Sequence, residues 1–138
     1  DVVGLLGTAR DIALGGGHAC ARRADRSIAC WGSCGAGQCG DADSSWLGDR
    51  LSPVTVVGIT TAEQVTAGTD HTCARLADGT ARCWGRNYGA LGDGTTVSAR
   101  WSPVAVLGLS GVTDLDGGWH YTCSALADAT ARCWGQTG

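Results

Sequence analysis

The sequence predicts an all-β chain made of about three β-propeller blades. Three observations carry that prediction: a repeat with a period near 50 residues, a cysteine pair ten residues apart in each copy, and a glycine content (23 of 138 residues) that opposes helix. Cys73-Ala-Arg-Leu-Ala-Asp-Gly-Thr-Ala-Arg-Cys83-Trp84-Gly85 returns as Cys123-Ser-Ala-Leu-Ala-Asp-Ala-Thr-Ala-Arg-Cys133-Trp134-Gly135. The same run stands earlier as Cys20-Ala-Arg-Arg-Ala-Asp-Arg-Ser-Ile-Ala-Cys30-Trp31-Gly32. Successive copies are offset by 53 and then 50 residues, the difference falling between Trp31 and Pro53, where the loop is longer than that from Trp84 to Pro103. Ser52-Pro53-Val54 and Ser102-Pro103-Val104 recur in phase, and Gly15, Gly68 and Gly118 each precede the first cysteine of a unit by five residues. No sustained i, i+3, i+4, i+7 stripe competes with this strand-and-turn reading. The repeat divides the single region 1–138 into units of approximately 1–32 (partial), 33–85 and 86–138.

Each cysteine-to-cysteine run reads as a hairpin. With Ala77-Asp78-Gly79 as a three-residue loop, a type I turn followed by a left-handed residue, Leu76 faces Thr80 and Cys73 falls opposite Cys83. The same register sets Cys20 against Cys30 and Cys123 against Cys133. Opposed Cβ atoms lie roughly 4.5–5.5 Å apart, within reach of a disulfide after a modest adjustment. Gly79 suits the left-handed position, whereas Arg26 and Ala129 hold it in the other units at a cost of about 1–2 kcal/mol. Cys34 and Cys39 lie in a glycine-rich loop. Pairing with each other is the simplest arrangement, since it leaves no free thiol, but the spacing does not decide it.

Composition excludes several function classes. The net charge is −3, and Arg22, Arg23 and Arg26 make the largest basic cluster, too small a footprint for nucleic acid. No apolar run approaches the roughly 18 residues of a membrane span. Eight cysteines, an even number, point to an oxidising, extracytoplasmic setting (secreted, periplasmic or cell surface). All ten basic residues are Arg, a bias of GC-rich bacterial genomes. The chain has no signal-peptide pattern and opens at Asp1 without a Met, which predicts a processed product or a section of a longer protein.

Trp84-Gly85-Arg86-Asn87-Tyr88-Gly89-Ala90-Leu91-Gly92-Asp93-Gly94-Thr95, followed by Ser102-Pro103 and a Gly-x-x-His-x-Cys element, resembles the regulator of chromosome condensation repeat. The resemblance covers nearly the whole chain. It implies four-stranded propeller blades, usually seven to a ring, in a family that includes a eukaryotic nucleotide-exchange factor, a plant ultraviolet-B photoreceptor and a secreted bacterial β-lactamase inhibitor. The cysteine-stapled form resembles the secreted bacterial branch. Cys34 and Cys39 stand where the loop motif has Asn and Leu, and Tyr121, preceded by His120, takes the place of His18 and His71. About two and two-thirds repeats leave blade faces bare unless further chain or further copies cover them.

No catalytic motif is present, and enzymatic activity is not expected. His18 and His71 belong to separate blades and read as structural, hydrogen-bonded groups rather than zinc ligands. Asp41-Ala-Asp43-Ser-Ser45 lacks the sixth-position Gly and terminal Glu of a calcium loop and reads as an Asx-rich turn. No cofactor or metal is expected. Light sensing needs a coupled Trp cluster, and the Gly118-Trp119-His120-Tyr121-Thr122 element occurs once.

Trp31, Trp84 and Trp134 recur and read as packing between blades. Trp46, Trp101 and Trp119 do not recur: Leu51 stands at the place of Trp101 in the preceding unit, and Thr69 at that of Trp119. Non-repeating aromatics on the loops of a repeating scaffold are where a partner anchors. Trp119, Trp101 and Trp46, with His120 and Tyr121, are therefore the candidate contacts of a non-catalytic protein-binding propeller, one version of which inhibits a secreted enzyme. A structural protein whose repeats associate between chains is the alternative. A carbohydrate-binding propeller is the third reading and requires Trp or Tyr beside convergent polar groups.

Overall fold

Strand and turn signals translate directly into eleven strands among the residues that the computed structural model describes, 2–45 and 48–136. The first antiparallel sheet holds β1 (Ala9–Leu14), β2 (His18–Arg23), β3 (Ile28–Gly32) and β4 (Arg50–Thr55) in sequence order. The second holds β5 (Ala62–Ala67), β6 (His71–Leu76), β7 (Ala81–Arg86) and β8 (Ala99–Ala105). The third holds β9 (Val112–Gly117), β10 (Tyr121–Leu126) and β11 (Ala131–Gly135). A blade thus begins after the Ser-Pro strand of its predecessor, a different phase of the same repeat from a count that ends at Trp-Gly.

The hairpins carry the disulfides. Cys20, Cys73 and Cys123 stand opposite Cys30, Cys83 and Cys133 in the strand register and are bonded to them. Cys34 and Cys39 are bonded to each other, so all eight cysteines are paired. The turn residue of each hairpin is left-handed, with φ of 67° at Arg26, 79° at Gly79 and 66° at Ala129. In each hairpin the turn Asp (Asp25, Asp78 and Asp128) accepts from the backbone N–H and the hydroxyl of the Ser or Thr two residues on. Those bonds hold the three carboxyls below their usual range.

The core lies between blades. One cluster joins Ala13, Cys20, Ile28 and Cys30 of the first blade to Val65, Ala74, Leu76 and Trp84 of the second. Another joins Cys73 and Cys83 of the second to Val112, Leu115 and Leu126 of the third, with Trp134 packed against it. Each blade therefore turns its disulfide face to the Trp face of the next, and apolar burial follows the 50-residue repeat rather than forming one central core.

Candidate functional site

The polar seam between blades accounts for the repeated Gly-x-x-His element. His18 Nε2 lies 2.8 Å from Thr72 Oγ1, and His71 Nε2 lies 2.9 Å from Thr122 Oγ1, each bond crossing from one blade to the next. Thr72 donates its hydroxyl to the Gln38 carbonyl at 3.0 Å, and Thr122 donates to Ala90 at 2.9 Å. Each hydroxyl has committed its proton, so it accepts from the imidazole, and the N–H is placed on Nε2. The same two carbonyls accept the indole N–H of Trp84 at 2.9 Å and of Trp134 at 2.8 Å. A Cβ on Gly15 or Gly68 would coincide with the ring of His18 or His71, so the glycine makes room for the imidazole. Burial pushes both histidines from 6.5 down to about 4; His18 and His120 push His71 further in the same direction, and Asp70 opposes the shift at both. These rings are neutral, buried and structural.

The third blade breaks the pattern. Tyr121 lies against Gly118 as the histidines lie against their glycines, but it is partly open to solvent. Beside it, Trp119 is 70% exposed. Its ring stacks on His120 at 5.0 Å and 23°, and His120 meets Tyr88 of the β7–β8 loop at 4.3 Å. Arg86 lies over the other side of the ledge, with Cζ 5.7 Å from the Tyr88 centroid. Four side chains from two blades therefore form one aromatic and cationic ledge. It borders an open recess of about 340 Å³ floored by Gly15, Gly16, Gly68, Gly117 and Gly118, with Leu14, Ala67 and Thr69 on its walls. Gly16, Thr69 and Trp119 are equivalent positions of the three blades, so the repeat supplies the same rim position with nothing, a hydroxyl and an indole.

Trp119, His120 and Tyr121 come together at this rim. Trp101 is elsewhere: it sits half-buried in outer strand β8, its carbonyl accepting from Ala42 N–H at 2.9 Å, and the Gly37 turn of the first blade packs against it. Trp46 lies outside the described residues. Tyr88 and Arg86 join the ledge without having been marked by the sequence, where Tyr88 reads only as part of the loop motif. The Asp41–Ser45 turn is closed by Arg50, whose guanidinium reaches Asp41 at 2.7 Å and Asp43 at 2.8 Å. Among the described residues no three His, Cys, Asp or Glu side chains group as metal ligands, and no helix is long and apolar enough to cross a membrane.

Strand order, blade-to-blade packing and the hairpin repeat define consecutive blades of a β-propeller. Residues 62–89, spanning β5 to the start of the β7–β8 loop, match the family model of the regulator of chromosome condensation (RCC1) repeat. A chain in the crystal structure of Kap60 bound to yeast RCC1 (Prp20) superposes with a TM-score of 0.79 at 21% identity, covering 93% of this chain and 32% of that one. Human WBSCR16 gives 0.81 at 20% identity, with 94% and 33% covered. The CRINKLY WD40 ectodomain of the Arabidopsis thaliana receptor kinase ACR4 gives 0.50 at 23% identity, with 92% and 36% covered. The chain thus spans about a third of the length of the solved propellers it resembles. No curated protein matches it by sequence.

Proposed function

We propose that this chain is a non-catalytic, extracytoplasmic protein-binding module that engages a partner segment at the glycine-floored recess, with Trp119 as the anchor. The observation that carries the reading is the exposure of Trp119 in a fixed stack. An indole stacked on His120, whose own ring is backed by Tyr88, has less rotamer freedom to lose on binding than an unsupported one, which raises the affinity available from its area. Arg86 adds a second side-chain type enriched at binding hot spots. Yeast RCC1 (Prp20) has been crystallised with Kap60 bound, so a propeller of this fold does take part in a protein complex. Among the described residues, Thr69 is the one polar side chain besides the Trp119 indole on the recess wall, whereas a sugar site needs several convergent polar groups, so a protein segment fits better than a carbohydrate. Inhibition of a secreted enzyme is one form of this activity.

The test compares immobilised wild-type chain with Trp119→Ala and Leu107→Ala as baits for extracellular proteins of its source. Leu107 is an exposed apolar residue outside the ledge. The expected result is a bound protein whose affinity falls about 30-fold or more on Trp119→Ala, a loss of about 2 kcal/mol, and is unchanged by Leu107→Ala. Equal recovery by all three baits refutes the reading. Quenching of tryptophan fluorescence by soluble oligosaccharides would replace it with the carbohydrate one.

A further inference from the structure

A strap ties the first blade to the second. After β3 the chain leaves its own sheet, and residues 34–42 lie along the neighbouring blade. Gln38 offers one carbonyl to two groups there, the Thr72 hydroxyl at 3.0 Å and the Trp84 indole N–H at 2.9 Å. Gly37 packs on the Arg100–Trp101 backbone, Gly40 lies over the Trp84 ring, and Ala42 N–H donates to the Trp101 carbonyl at 2.9 Å. On the first blade's side, Val57 N–H donates to the Gly40 carbonyl at 2.9 Å. Through Thr72 the strap also reaches His18. The Cys34–Cys39 disulfide closes the strap at its base.

The joint between the second and third blades does the same work without a covalent bond. Ala90 takes the place of Gln38, accepting from Thr122 and Trp134. Gly92 takes that of Gly40, with φ of 64° against 61°, and accepts from Leu107 as Gly40 does from Val57. Asn87 holds this turn: its Oδ1 accepts from Gly89 N–H at 3.0 Å, and its amide donates to Asp93 and to the Thr95 carbonyl, both at 3.3 Å. Leu91 fills the core position of Cys39, and both are fully buried. In the first strap Cys34 stands at the Asn place, has no amide to make those bonds, and is one residue further from its partner. A joint of this kind therefore closes without cysteine, and the disulfide makes closure of the first one depend on redox state.

We propose that Cys34–Cys39 is a reducible latch that tightens or loosens the joint between the first two blades. The Cys20–Cys30 and Cys73–Cys83 pairs sit in strand ladders that keep the cysteines opposed whether bonded or not, whereas the strap has no ladder. Cys34 is 3% exposed, against 0% for Cys39 and for those four hairpin cysteines. Exposed Ser33 and the open space above Gly35 flank it, so a small dithiol reaches the Cys34 Sγ. The dithiol's thiolate bonds to the Cys34 Sγ, the S–S bond breaks, and the electron pair leaves on the Cys39 Sγ, which takes a proton. The reductant's second thiol then closes on its first sulfur, releasing Cys34 as a protonated thiol. The dithiol is oxidised to a cyclic disulfide and the pair is reduced by two electrons. Cys39, now a neutral thiol, stays in the apolar core as a small hydrophobe. Cys34 swings free, and the Gln38 carbonyl loses its fixed place beneath Thr72 and Trp84.

The test equilibrates the native, oxidised protein with graded ratios of reduced to oxidised dithiothreitol. Free thiols are trapped with iodoacetamide and mapped by peptide mass. The expected result is alkylation of Cys34 and Cys39 at a ratio about tenfold lower than Cys20, Cys30, Cys73 and Cys83 require. At that ratio hydrogen exchange at the Ala42 and Val57 amides should quicken about tenfold or more, while Leu107, the counterpart of Val57 in the other joint, is unchanged. Cys34→Ser with Cys39→Ser should show the fast exchange without reductant. Cys34→Asn with Cys39→Leu and Gly35 deleted re-creates the second joint's loop, and should keep slow exchange in reductant. Reduction of Cys34–Cys39 only together with the two covered hairpin pairs overturns the proposal. So does selective reduction that leaves the Ala42 and Val57 amides slow, or an Asn/Leu variant that loosens in reductant as the wild type does.

Discussion

Mild acid should destabilise this protein, because two histidines are buried in the seams. An ordinary histidine in the unfolded chain titrates at 6.5, while His18 and His71 in the fold titrate at about 4. A depressed histidine pKa means that the unfolded state binds more protons between those two values. The stabilisation is therefore complete above about pH 6.5 and is lost as the pH falls towards 4. Linkage puts the loss between pH 7 and pH 5 at about 2 kcal/mol for each ring, so about 4 kcal/mol for the two. With a urea dependence of about 2 kcal/mol per molar, the unfolding midpoint drops by about 2 M over that interval. Asp25, Asp78 and Asp128 are held below their usual range by their Ser and Thr partners, so their contribution falls at lower pH. The assay is urea unfolding under non-reducing conditions, followed by tryptophan fluorescence at half-unit pH steps. His18→Gln or His71→Gln removes about half of the slope, and the double substitution removes most of it. A midpoint flat from pH 7 to pH 5, or a slope that survives the double substitution, refutes the account of the seam.

Other outcomes follow from particular contacts. Thr122→Ala strips His71 of its acceptor and should lower stability by about 2 kcal/mol in the same unfolding assay, leaving a buried N–H without a partner. Ala129→Gly relieves a left-handed alanine and should raise stability by about 1 kcal/mol, read as a shift of a few degrees in thermal midpoint. The paired change Cys73→Ala with Cys83→Ala removes a link of sequence separation 10 and should cost about 3 kcal/mol in denaturant unfolding. Asp93→Ala frees Arg100, Thr95 and Asn87 together, and hydrogen exchange should show the β7–β8 loop opening while the hairpins stay protected.

What could be read from the sequence is what depends on neighbours along the chain. The register that brings Cys73 to Cys83 needs a three-residue turn and a left-handed residue, and both are local, so the hairpin predicts its own staple. Cys34 and Cys39 show the limit of that logic. Their loop has no strand register to align them, so their bond had to come from the structure. The glycine five residues before each cysteine is visible as a repeat, but its reason is a ring lying against it, which no spacing states.

The candidate site divides in the same way. Trp119 stood out because the repeat places Gly16 and Thr69 at its equivalents, and a departure from a repeat is itself a sequence signal. Trp101 departs from the repeat equally and turns out to be packed in an outer strand, since periodicity does not say which way a strand residue faces once a neighbouring loop folds over it. Tyr88 and Arg86 lie about thirty residues and one blade away from His120. The rotation between adjacent blades brings the Tyr88 ring to 4.3 Å from His120, with Arg86 following through its place over Tyr88, and that rotation is set by the packing of the disulfide face on the Trp face. Composition, repeat and turn chemistry thus determined the strands, their order and three of the four disulfides. The ledge and the polar seams were decided only by tertiary packing, because each joins residues of different blades.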